Sequence, residues 1–236
     1  MNYRDVLYRN YSSHFDHPTS VEDAVNFPMF AEIYRSLPNR EVAVLDLGCG
    51  RGAWLRWMRS LGYVKLAGVD FSQGDLDSVA VPEAVLRQGD LFAFLREEGE
   101  AFGIIHAKDV IEHMTKDEVV EFLSLCRSRL VAGGQLWIST FNALAPMAAQ
   151  TWRGDFTHET AFTPQSIRQV MHSCGFHAVE VRCCHPVPQS YGGKARKLLM
   201  MPISAICRAV AILRYGGTGD LDCRPTLLAM AQTRVS

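Results

Sequence analysis

The sequence predicts a doubly wound α/β sheet, and three observations carry that expectation. Short apolar runs of strand length alternate with stretches whose apolar residues recur at helical spacing. The first run is followed at once by a glycine cluster that opens a helix, and acidic residues stand at or just after the ends of the first three runs. Strands separated by helices imply parallel pairing through right-handed crossovers.

The elements follow in order. Residues 42–47 (VAVLDL) form the first strand, and 53–61 the helix after the glycines. Residues 64–69 are a second strand ending in Asp70, 84–87 a third and weaker one, and 91–98 a helix. Residues 102–107 (FGIIHA) make the fourth strand. Residues 116–130 place Val119, Phe122, Leu123, Cys126 and Leu130 at helical spacing, with Gly133-Gly134 ending the helix. Residues 135–140 (QLWIST) are the fifth strand. Thr163 caps a helix over 163–174, with Pro164 in its first turn and Gly175 after its end. Residues 176–182 and 226–233 supply two more strands. The polar, aromatic-rich stretch 1–40 reads as a helical cover, so 1–236 is one domain with an insertion at 191–225.

Composition narrows the function. With 24 Lys+Arg against 25 Asp+Glu the net charge is −1, which argues against a general nucleic-acid binder. Hydrophobic residues at 48% and charged residues at 21% argue for a full core and against wholesale disorder. The opening MNYRDVLYRNYSSHFDH has no apolar core of a secretory signal, and no run of 18 apolar residues occurs, so a cytoplasmic protein is expected. Seven scattered cysteines without a C-x-x-C pair read as reduced thiols. His172, Cys174, His177, Cys183, Cys184 and His185 match no structural zinc spacing, so no metal is expected there.

The chemistry centres on Asp46-Leu47-Gly48-Cys49-Gly50-Arg51-Gly52. Gly48-x-Gly50-x-x-Ala53 alone satisfies the loose dinucleotide fingerprint, with Asp70 near the ribose position. Charge weighs against a pyrophosphate, which wants N–H groups and no nearby carboxylate. Asp46, two residues before the first glycine, suits instead a ligand carrying an ammonium and a sulfonium. Asp70 can accept both hydroxyls of a ribose, and Asp90 can meet an adenine amine.

VLDLGCGRG, AGVDFS, RQGDL and DVIEHM, in that order, resemble class I S-adenosylmethionine-dependent methyltransferases from about residue 42 to 175. The resemblance implies a Rossmann-like seven-stranded sheet, mostly parallel, with 226–233 as an antiparallel last strand. It implies S-adenosyl-L-methionine as cofactor. Asp46, Gly48, Cys49, Gly50 and Gly52 would hold its methionine part, Asp70 its ribose, and Asp90 with Leu91 its adenine. Phe71 and Lys108 complete the cofactor-binding positions.

A hydroxyl acceptor needs a base within hydrogen-bond reach. Asp109 and His113 follow the fourth strand, and Asp155 and His158 lie in the loop before Thr163; these four are the catalytic candidates. For His113 a bracing role weighs equally, and His106, mid-strand, reads as a packed core histidine. DVIEHM through STFN to GDFTHETAFTPQSIRQVMHSCGF is similar to methyltransferases of bacterial polysaccharide and lipopolysaccharide gene clusters, and more distantly to O-methyltransferases of ubiquinone biosynthesis. That implies methyl transfer to a hydroxyl of a sugar or glycan, free or lipid-linked. His158 is expected to be the base, with Asp155 or Asp109 orienting it or the acceptor. A quinone, polyketide or other small molecule is the alternative acceptor, and a catalytically silent cofactor-binding regulator the non-enzymatic one. Val131-Ala132-Gly133-Gly134 lacks the family's common proline, which touches only a turn.

Within the insertion, Lys194, Arg196, Lys197, Arg208 and Arg214 alternate with apolar residues and no acid intervenes. This reads as an amphipathic helix interrupted or kinked at Pro202. Residues 194–214 would meet an anionic membrane surface, a second copy of the chain in a homodimer, or the acceptor site as a lid.

Overall fold

The computed structural model describes residues 39–185, 191–216 and 221–235. The expected helical cover therefore lies, but for its last two residues, outside the described residues. The elements are β1 (Val44–Leu47), α1 (Ala53–Ser60), β2 (Leu66–Asp70), α2 (Gln73–Leu76), β3 (Val85–Gln88) and α3 (Leu91–Arg96). Then come β4 (Phe102–Lys108), a 3-10 turn (Ile111–His113), α4 (Lys116–Ser128), β5 (Leu130–Phe141) and α5 (Ala148–Gly154). The chain continues with α6 (Pro164–Ser173), β6 (His177–Cys184), α7 (Tyr191–Tyr215) and β7 (Thr226–Gln232).

The strands form one seven-stranded sheet in the order β3-β2-β1-β4-β5-β7-β6. β1 to β5 pair in parallel, and β7 lies antiparallel to both β5 and β6. The sequence-based fold class, including the antiparallel last strand, holds. Side-chain alternation along each strand divides the core into two layers. Leu45, Leu47 and Ile105 join Phe122 and Leu123 on one face. Val44, Ile104 and Trp137 join Trp54, Met58 and Tyr63 on the other. The order reverses between β1 and β4, and the crevice outside the strand ends at such a switch point is the ligand position of this architecture.

Local signals explain the boundaries. Thr115 and Glu118 form a reciprocal capping box that starts α4. Thr163 does the same with Ser166 at α6, where Pro164 fills the first turn. α4 ends at Ser128, short of the expected 130, because the double glycine lies inside β5. Gly133, at φ 71°, turns the strand rather than capping the helix. α7 runs unbroken through Pro202, so the expected interruption is absent. On it Leu198, Leu199, Ile206 and Leu213 are exposed, so the described parts of the chain do not bury them as a lid would. No described helix is long and apolar enough to cross a membrane.

Gly48 sits at φ 73°, and a Cβ there would lie 2.6 Å from Val110 Cγ2. Left-handed backbone costs a non-glycine residue about 1–3 kcal/mol before any clash is counted. Gly48→Ala is therefore expected to lower the melting temperature and weaken cofactor binding together. An unchanged melt and an unchanged cofactor titration would contradict this packing.

Candidate active site

The glycine loop is held by the strand beside it. Gly48 N and Cys49 N donate to Val69 O at 2.8 and 3.1 Å. Asp70, at the end of β2, accepts from Gly50 N through Oδ2 and from Ser72 N through Oδ1, both at 2.8 Å. Burial raises its carboxyl above the ordinary aspartate range, against the pull of these two N–H groups, and the Asp75 and Asp46 charges add to the rise. Gly48, Gly50 and Gly52 all take positive φ, and a Cβ at Gly50 would meet nothing within 4 Å. Among the described residues, space thus opens above the loop beside a carboxylate. Each Asp70 oxygen keeps a lone pair beyond the one its N–H donor uses.

Other expected cofactor positions are placed less simply. Asp46 is buried, and its Oδ1 lies 2.7 Å from His106 Nδ1, so it is an internal partner of His106 rather than an open carboxylate on the crevice. The His106 ring stacks on Trp54 at 4.4 Å, almost parallel, which makes it the core histidine the sequence suggested. The Cys49 thiol packs in the layer around Trp54, and burial pushes its pKa up, so it offers the crevice no side-chain group. Asp90 is exposed and caps α3 through Ala93 N at 2.8 Å, with half-buried Leu91 following it. Phe71 is 61% exposed beside Asp70, an apolar plate of the kind an adenine ring covers. Lys108 ion-pairs with Asp109 at the end of β4. These residues fit S-adenosylmethionine: a clamped glycine loop with open space above it, a carboxylate with free lone pairs, and a neighbouring aromatic surface.

The catalytic candidates divide in the structure. Asp109 stands at the end of β4 with φ 53° and is exposed. The turn that follows carries Glu112 and His113, and Val110 before it abuts Gly48. The loop after α5 is tied to that turn, for Glu159 N and Thr160 N both donate to Glu112 O, at 2.8 and 3.0 Å. His158 is thereby brought to His113, ring centroids 4.7 Å apart, and stacks on Phe141 at 5.4 Å.

Hydrogen bonds fix both rings. His158 Nδ1 lies 3.2 Å from the Thr151 carbonyl, which only accepts, so Nδ1 carries the proton and Nε2 holds a lone pair. Thr157 Oγ1 donates to Asp155 Oδ1 at 2.7 Å and accepts from His113 Nδ1 at 2.8 Å. His113 Nε2 is thus a lone pair too. Burial, followed by the His158 charge, lowers the His113 pKa to about 4, so this ring stays neutral.

For the expectation that Asp155 or Asp109 orients His158 or the acceptor, the structure bears only on Asp155 and the ring. Asp155 Oδ2 is 3.8 Å from His158 Nε2, beyond hydrogen-bond reach, and acts on that ring only through its charge. Thr151 and Phe141 orient His158, while Asp155 braces His113 through Thr157. Glu112 was not singled out by the sequence. It is 2% exposed, and burial, followed by the Asp109 charge, pushes its carboxyl up to about 8. Its place beside His113 in DVIEHM was the only sequence signal.

A seven-stranded sheet with β7 antiparallel, a clamped glycine loop and an acid at the end of β2 define an S-adenosylmethionine-dependent methyltransferase. A methyltransferase-domain family model matches residues 25–181. The chain belongs to this methyltransferase-domain family. Comparison with curated proteins finds no match. Among solved structures, a SAM-dependent methyltransferase from Archaeoglobus fulgidus is 16% identical with a TM-score of 0.67, covering 96% of this chain and 99% of that one. The complex of the Haloferax volcanii Trm112 methyltransferase activator with a putative methyltransferase gives 15% identity and a TM-score of 0.67, over 99% and 98%. Phosphoethanolamine N-methyltransferase 2 of Haemonchus contortus, in complex with S-adenosyl-L-methionine, gives 15% and 0.62, over 99% of this chain and 60% of that one. At such identities the likeness concerns the fold.

Proposed function

We propose that the protein is an O-methyltransferase acting on a hydroxyl of a sugar or glycan, with His158 as general base. The observation that carries this is the Thr151 carbonyl on His158 Nδ1, which leaves the Nε2 lone pair ready to accept a proton. S-adenosylmethionine, when bound, supplies an electrophilic methyl on a sulfonium. In the transfer the hydroxyl gives its proton to His158 Nε2, and the oxygen electron pair forms the new C–O bond. The bound cofactor would take up the C–S electrons on its sulfur as the methyl leaves, and the His158 imidazolium would release its proton to water. His113, held neutral, does not compete for the proton.

The sugar acceptor is supported by the resemblance over residues 155–163, and a quinone or polyketide hydroxyl is the alternative. S-adenosylhomocysteine release should appear with members of a panel of nucleotide sugars and glycans. Release only with quinols or other small phenols would replace the sugar, and release only with amines would remove O-methylation.

A lipid-linked acceptor fits the same proposal. Five cations and an exposed apolar surface on α7 are complementary to an anionic bilayer. The protein should float with vesicles containing phosphatidylglycerol and not with phosphatidylcholine alone. Failure to float, with a dimer by light scattering, would assign α7 to self-association instead.

A further inference from the structure

We propose that Glu112, His113 and His158 form a binding site for one divalent cation of the borderline class that takes nitrogen and oxygen ligands, such as Mn²⁺, Co²⁺ or Zn²⁺. One ligand atom from each residue lies within 4.8 Å of the other two, the only such group among the described residues. Bonds of roughly 2.1 Å would set ligand atoms at most about 4.2 Å apart, so a small inward movement of one side chain closes the sphere. Two imidazoles and one carboxylate leave coordination positions open, as in catalytic rather than structural sites.

Two independent observations point to a ligand here. Glu112 is 2% exposed, and its Oε2 has no hydrogen-bond partner among the described residues. An orphaned carboxylate oxygen in such a place is costly, and a cation is the partner that suits it. Both rings also have the outer support that metal-bound histidines have, with the far nitrogen donating to a fixed acceptor. His158 Nδ1 donates to the Thr151 carbonyl, and His113 Nδ1 to Thr157 Oγ1, which Asp155 backs. Each ring is thereby set with Nε2 unprotonated, as a ligand must be.

The inference keeps the hydroxyl acceptor of the proposed function and rests on that reading only for what the cation does, not for whether it binds; with the cation seated, His158 is a ligand and not the general base. A seated cation occupies the His158 Nε2 lone pair that would otherwise take a proton. An acceptor hydroxyl entering an open position is then acidified by the cation's charge, and its proton passes to water rather than to His158. The oxygen electron pair still forms the C–O bond, and the C–S electrons still leave on sulfur.

The test is titration of the chelator-stripped full chain with Co²⁺ alone, followed by calorimetry and by visible absorption, and then with Zn²⁺ in competition. One Co²⁺ per chain is expected, weakened at least about tenfold in both Glu112→Gln and His158→Ala and unchanged in His172→Ala. His158→Ala alters a ring at the rim of the site and keeps the test decisive if the buried Glu112→Gln fails to fold. No stoichiometric binding, or binding that follows His172 instead, would overturn the site. Hydroxyl methylation by a protein that binds no Co²⁺ would remove the cation and keep the base. Stoichiometric binding in a protein that methylates only amines would support the cation and overturn the hydroxyl acceptor.

Discussion

His158→Ala is expected to lower turnover by about a hundred- to ten-thousandfold, the usual loss when a positioned proton acceptor is removed, with S-adenosylmethionine affinity unchanged. The ring lies in the loop after α5, while the glycine loop and Asp70 proposed to hold the cofactor follow β1 and end β2, so the two properties should separate. The comparison is single-turnover rate against calorimetric affinity in the same preparation. A variant that keeps near wild-type turnover with the true acceptor would end the role given to His158. Turnover alone does not tell a proton from a cation on Nε2, since the substitution removes the site of both. Cation binding makes that distinction.

Asp70→Ala should have the opposite signature, with affinity lost first. The carboxylate clamps Gly50 N, and in the proposed cofactor pose its remaining lone pairs accept the ribose hydroxyls. A hydrogen bond to a charged group is worth about 1.5–3 kcal/mol, which corresponds to a rise in Kd of about ten- to a hundredfold. Asp70→Asn, keeping the shape without the charge, should fall between. Because burial holds this carboxyl above the ordinary range, affinity in the native protein should fall as pH drops through that raised value. The fall should come at a higher pH than for an exposed aspartate. Unaltered cofactor binding by Asp70→Ala would contradict the placement of the ribose.

Much of this was legible in the sequence because the signals were local. Alternating strand and helix periods, the turn glycines before α1, and Thr163-Pro164 at α6 each act within a few residues. Their elements fell within a few positions of expectation. Asp70 was legible for the same reason, as an acid at a strand end next to the glycines. What was not legible depends on pairs far apart in the chain. The pairing of Asp46 with His106 spans 60 residues and crosses from β1 to β4, and it turns an expected crevice carboxylate into a buried one. His113 meets Thr157 across 44 residues, and Thr151 rather than an acid orients His158. No spacing rule links such positions. Glu112 is visible in the sequence next to His113 but takes no role there, because a glutamate on a short turn reads as solvated until the 155–160 loop is tied to it.

In the proposed reaction this crevice transfers a methyl group from S-adenosylmethionine to an oxygen beside His158. The most direct measurement supplies S-adenosylmethionine with an isotope-labelled methyl and locates the label in the product by NMR. A label bonded to a sugar or glycan oxygen, formed by the native protein and reduced in parallel with turnover by His158→Ala, is the predicted result. A label on nitrogen or carbon, or an oxygen-bound label formed equally well without His158, would contradict it.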